Sequence, residues 1–194
     1  MEVYFEASPR WALDQPYQQS ASKGYEADGL LYLKSGSKEQ NILAKQGDDL
    51  RIDWGYFYMV AGKENTAYSV GNSTELRKNF VNGTLNSASL EGEDSNGNMA
   101  LVRSHGKVKN VTDKIMLGYD DIYSIQYFGT NLRPYWNSKG DRTIEAEMLA
   151  AYNEYDKLLA RCYAFDKKLM EDASAAGGKE YAEPVSYTHL RAHE

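Results

Sequence analysis

Residues 52–61 read Ile52-Asp53-Trp54-Gly55-Tyr56-Phe57-Tyr58-Met59-Val60-Ala61. Aromatic and β-branched residues of this kind favour a pleated, half-buried backbone. The run carries more apolar weight than a solvated strand, so it predicts a central strand, with Gly55 marking a close approach of another backbone. Asp53 beside Trp54 adds a polar group next to an aromatic face, a pairing suited to a polar ligand. The apolar core of the run, Tyr56–Ala61, is far shorter than the ~20 residues a membrane-spanning helix needs.

Outward from this strand, turn clusters punctuate further runs. Gly29–Leu33, Leu50–Val60, Thr66–Val70, Asn98–Val108 and Lys114–Phe128 read as strands. Glu2–Ala7 alternates, placing Val3, Phe5 and Ala7 on one face. Thr74–Val81 reads as a short helix capped by Ser73 or Thr74. Strands at this spacing predict an antiparallel β-sandwich in residues 1–136. After residue 141 the period changes. Met148, Ala151, Tyr155, Leu158, Cys162, Phe165 and Leu169 recur every three or four residues and predict one helix over 141–176. Asp141 or Thr143 is its expected cap and Gly177-Gly178 its stop. An apolar stripe this long predicts burial against other elements, Cys162 included.

Composition narrows the function. The 194 residues carry a formal net charge of −6, with 22 Lys+Arg against 28 Asp+Glu. No basic surplus exists to neutralise phosphates, which argues against a nucleic-acid partner. One cysteine excludes an intrachain disulfide framework or a cysteine-rich zinc site. No cofactor and no metal is expected. The aromatic composition is weighted to tyrosine, with 16 Tyr, 5 Phe and 3 Trp. His105 reads as a strand-end or turn residue, since no nucleophile motif surrounds it. The Gly92–Asn98 loop has oxygen ligands without calcium-loop spacing and reads as a hairpin tip. Asp120 and Asp121 are adjacent. On a strand they point to opposite faces, so one is expected to be structural, pairing with backbone or with Arg133, and the other to face a cleft.

The segments Val3–Gln18 (VYFEASPRWALDQPYQ), Ile52–Ala61 (IDWGYFYMVA), Met116–Trp136 (MLGYDDIYSIQYFGTNLRPYW) and Tyr152–Ala182 together resemble the glutaminase A-like family, of the type found in gut Bacteroidetes. Its members combine domains called DUF5127, DUF4965 and DUF1793. The resemblance implies a mainly β fold. Residues 1–140 would be part of a supersandwich-like β-sandwich of DUF5127 type. Residues 141–183 would be a linker helix that starts an α/α six-hairpin barrel of DUF4965 type. It implies an exported parent, periplasmic or extracellular, hydrolysing L-glutamine to L-glutamate and ammonia, with this chain a fragment holding the non-catalytic β-domain. The missing helical barrel would be its partner and glutamine the small-molecule substrate. No family catalytic residue maps onto the chain. Asp53, Trp54, Asp120, Asp121, Tyr123 and Arg133 are the candidates for the substrate mouth or the domain interface. The alternatives are a carbohydrate-binding β-module and a fragment of a six-hairpin glycoside hydrolase. Residues 184–194 change composition abruptly and resemble a translated sequencing adapter, so they are expected to be non-native.

Overall fold

The computed structural model describes residues 1–47, 52–85, 94–95 and 97–191. Its strands are β1 (Glu2–Ala7), β2 (Ser20–Ala27), β3 (Leu30–Ser37), β4 (Tyr56–Gly62), β5 (Thr66–Gly71), β6 (Asp94–Ser95), β7 (Asn98–Ser104), β8 (Met116–Asp120), β9 (Ile125–Tyr127) and β10 (Thr130–Leu132). Three α-helices are described, α1 (Ser73–Val81), α2 (Ile144–Gly177) and α3 (Lys179–Arg191), with short 3-10 turns at Pro9–Ala12 and Tyr135–Asn137. The chain divides into two compact units, 1–149 and 150–194.

In the first unit, two open antiparallel sheets face each other. One has the order β1-β7-β5 and the other β6-β2-β3-β4-β8; β9 and β10 form a separate hairpin. The period of two decides which side chains meet. Ala7, Met99 and Leu101 from the first sheet pack with Leu33, Phe57, Met59 and Ala61 from the second. Val3, Phe5 and Ala7 share a face as the alternation predicts, opposite Arg103, Leu101 and Met99. Among the polar residues of this interior, Ser22 Oγ donates to Gly97 O at 3.0 Å and lies 2.9 Å from Ser35 Oγ, which meets the need of a buried hydroxyl.

Each sheet also has an outer face. Helix α1 covers that of the first sheet, with Phe80 stacked on Tyr4 at 4.9 Å between ring centroids. Arg77 Nε donates to Glu6 Oε2 at 2.7 Å. Asn72 caps α1, its side chain accepting from Thr74 N at 2.9 Å, one or two positions before the expected cap. The outer face of the second sheet carries Tyr25, Tyr32 and Tyr58. The opening turn of α2 lies on it, with Tyr25 OH donating to Glu145 Oε1 at 2.6 Å and Tyr32 OH to the Glu145 carbonyl at 3.2 Å. Thr143 caps this helix, accepting from Ala146 N at 3.2 Å.

Several expectations are corrected. No six-hairpin barrel is present: among the described residues the α-helices are α1, α2 and α3 alone, so neither a six-hairpin glycosidase-like fold nor a hydrolase or glutaminase fold is matched. The long helix does form, and Gly178 ends it with φ +79°. Its stripe, however, is largely exposed past the first turns. Met148 is buried, while Tyr155, Leu158, Phe165 and Cys162 are exposed. An amphipathic pattern specifies which face is apolar and says nothing of whether a partner covers it. Polar pairs support the helix instead, such as Lys168–Asp172 at 2.6 Å. The expected Leu50–Val60 strand begins only at Tyr56, after a turn held by Gly55; Leu50 and Arg51 lie outside the described residues. The Lys114–Phe128 run divides into β8 and β9, because the chain turns at Asp121–Ser124. Of the Gly92–Asn98 loop, Gly92, Glu93 and Asn96 lie outside the described residues, and Asp94–Ser95 forms β6, which pairs with β2. Residues 184–191 continue α3, through Pro184.

Candidate functional site

Where Gly55 enters β4, its φ of +80° is open to glycine and strained for other residues. The Gln40 side chain holds this residue from both sides, Oε1 accepting from Gly55 N at 2.6 Å and Nε2 donating to Gly55 O at 3.3 Å. On the far side the backbone of Asp120 and Asp121 comes close, so that a Cβ on Gly55 would lie 2.7 Å from Asp121 Cα. This is the close backbone approach that the glycine predicts.

Trp54 fixes the turn that follows β8. Its Nε1 donates to Asp121 O at 2.8 Å and to Tyr123 O at 2.9 Å. Within the turn, Asp120 Oδ1 accepts from Ile122 N at 3.1 Å and Asp121 Oδ2 accepts from Ser124 Oγ at 2.6 Å. Ile122, β-branched, sits at φ +60°. Residues held in such conformations are over-determined by their surroundings and cluster at binding sites.

Beside the turn lies an open cleft of about 390 Å³, walled by Trp11, Trp54, Tyr56, Tyr119 and Trp136, with Asp120 and Asp121 at its edge. All three tryptophans of the chain meet here. Trp11 and Tyr119 are each more than half exposed. Both rest on the buried Phe57, with ring centroids 5.3 and 5.2 Å away. Exposed rings fixed on a rigid base form a platform whose shape exists before any ligand arrives.

The structure thus brings together Trp54, Asp120 and Asp121 of the expected candidates. Tyr123 and Arg133 stand beside them: Arg133 Cζ lies 4.8 Å from the Tyr123 ring centroid, a cation–π contact in place of the expected pairing with a carboxylate. Asp121 lies just past the end of β8, so the strand rule of opposite faces does not govern the pair; both carboxylates hold the turn. Asp53 is set apart from the cleft. It is buried, its Oδ2 accepts from Lys45 Nζ at 2.6 Å and Gln18 Nε2 at 3.1 Å, and its Oδ1 has no partner among the described residues. Its place is to tie the segment after β1 to the segment before β4.

Trp11, Tyr119, Trp136 and Gln40 were not foreseen as site residues. The usable signal was the scarcity of tryptophan, with one in each of three of the resembling segments. His105 is held in a structural cluster. Its Nε2 is 3.3 Å from Asp113 Oδ2, and Arg103 binds the same carboxylate at 2.7 and 3.1 Å. The neighbouring Ser104 Oγ donates elsewhere, to Glu2 Oε1 at 2.9 Å. Burial raises the Asp113 carboxyl, but hydrogen bonds from Arg103 and from Lys114 N outweigh it and hold the group below its usual range. No helix among the described residues is long and apolar enough to cross a membrane.

Fold and cleft together define a two-sheet antiparallel β-domain with an exposed aromatic cleft. Its sequence matches the family described as a domain of unknown function, DUF5127, over residues 1–172, and the chain belongs to that family. No curated protein and no solved structure matches it.

Proposed function

We propose that this chain is a non-catalytic β-domain whose aromatic cleft binds a saccharide. The observation that carries the reading is the convergence of Trp11, Trp54 and Trp136, with Tyr56 and Tyr119, on one open cleft edged by two carboxylates. The faces of sugar rings are lined by C–H groups that rest against aromatic rings, while their hydroxyls need acceptors at the rim. Exposed rings are expensive to keep in water unless a ligand covers them. A binding role also agrees with the engagement of the cleft's carboxylates in turn hydrogen bonds and with the structural pairing of His105.

The resemblance to glutaminase A-like proteins supplies the setting: the β-domain, residues 1–140, would serve an exported parent. Glutamine hydrolysis would then belong to that parent and not to residues of this chain. Residues 184–194 would have no part in ligand binding. The test is calorimetric titration of the chain with a panel of neutral oligosaccharides and, separately, with glutamine. The reading expects saturable binding of at least one saccharide. Binding of glutamine alone, displaced by substitutions in the cleft, would overturn it in favour of a substrate mouth.

A further inference from the structure

Across Tyr56 from the aromatic cleft lies a second groove, of about 350 Å³, on the outer face of the β2-β3-β4 sheet. Its charge is unusual for a chain with a net charge of −6. Lys23 and Lys34 are direct cross-strand partners and both line the groove, as does Lys38. Like charges directly opposite one another destabilise a sheet. Among the described residues, neither Lys23 nor Lys34 has a carboxylate within ion-pair distance. Lys34 is half-buried, and its Nζ lies 3.5 Å from the centroid of the Tyr56 ring and 5.5 Å from that of Tyr58.

The floor is built to keep this geometry. Gly36 lies opposite Tyr56 in the register, and a Cβ there would come within 2.6 Å of Tyr56 Cδ1. The missing side chain lets the ring lie down on the strand, and Tyr56 lines both the groove and the cleft. Burial, and then the neighbouring Lys23, push the Lys34 ammonium below its usual range, against the weaker pull of Glu145 and Asp120. Both carboxylates already have partners, Tyr25 OH and Ile122 N.

We infer that this groove receives the carboxylate of an acidic sugar whose neighbouring ring occupies the aromatic cleft, so that the domain selects uronate-containing saccharides. This rests on the saccharide reading of the cleft. Lys34 and Lys23 supply the two positive charges, and Tyr56 is the shared wall. An arriving carboxylate relieves the repulsion between the two ammonium groups and meets charge-assisted donors.

The experiment is calorimetric titration with short uronic-acid oligomers of several linkages, each as the free acid and as its methyl ester, at low and high salt. The free acid of the preferred oligomer should bind about tenfold more tightly than its ester, the scale of one charge-assisted hydrogen bond. High salt should erase the difference. The double variant Lys23→Met, Lys34→Met, checked by its melt, should remove the advantage of the acid over the ester. Trp136→Ala should weaken both forms. Equal binding of acid and ester, or a preference that survives the double substitution, overturns the inference while the cleft reading stands. Indifference of both forms to Trp136→Ala overturns the cleft reading; absence of binding by either form overturns the inference, and the neutral panel then decides the cleft reading.

Discussion

At Gly55 the backbone takes φ +80° with Asp121 Cα 2.7 Å from where a side chain would begin. Gly55→Ala therefore meets both a strained conformation and a backbone collision. We expect a loss of about 1–3 kcal/mol in chemical denaturation. The glycine was legible in the sequence as a point of close approach, because a strand interior rarely tolerates one without such a reason. What approaches it was not legible, since the Asp120–Asp121 backbone is far away along the chain. Gln40 was illegible for the same reason. A second residue-scale expectation concerns Asp53. Asp53→Ala removes the carboxylate that Lys45 and Gln18 share at 2.6 and 3.1 Å. The buried position makes this costly, on the order of 1–3 kcal/mol in the same assay, whereas saccharide binding should persist in the folded fraction.

Among the elements, the contact of α2 with the second sheet depends on Tyr25 and Tyr32. Burial, then the hydrogen bond to Glu145, raises the Tyr25 hydroxyl far above its usual range, and burial with the charge of Glu145 pushes Tyr32 up to about 12. A group whose folded value is raised stabilises the fold fully below its unfolded value and loses that contribution as pH rises through the folded one. Stability should thus be intact up to about pH 10, the unperturbed tyrosine value, and fall as pH rises further. Melts across that range check this, with Tyr25→Phe showing a smaller alkaline decline than the parent. The aromatic composition is weighted to tyrosine, and Tyr25, Tyr32 and Tyr58 on this face are part of that weight, the last two buried. The helix itself was legible from its period, and so was Gly178 as its end. Exposure of Tyr155, Leu158 and Phe165 was not, because periodicity marks an apolar face without naming its cover. The expected barrel came from resemblance alone and has no counterpart in the described helices.

For the molecule as a whole, two carboxylates couple distant segments to pH. Burial raises Glu6, but hydrogen bonds from Ser73, Asn98, Arg77 and Tyr4 prevail and hold it low. Asp113 is held low by Arg103 in the same manner. A depressed carboxyl stabilises the fold above its unfolded value and loses that contribution as pH falls through the folded one. The melting temperature should therefore decline below about pH 4, where unperturbed carboxylates protonate. Glu6→Gln should flatten part of that decline. The two-sheet arrangement was legible in the sequence because alternation and turn residues are local signals. The cleft was not, because Trp11, Trp54 and Trp136 converge only once the sheets are paired.

The central claim is that this convergence is a binding site. Tryptophan emission is the direct probe, since all three indoles of the chain line the cleft. Titrating the folded chain with the oligosaccharide panel should give a saturable shift in emission for at least one saccharide. Trp136→Ala should weaken that binding about tenfold, the scale of one lost stacking surface, with the melting temperature unchanged. A panel that leaves the emission of the folded chain unaltered, or a Trp136→Ala variant that binds as the parent does, would contradict the account.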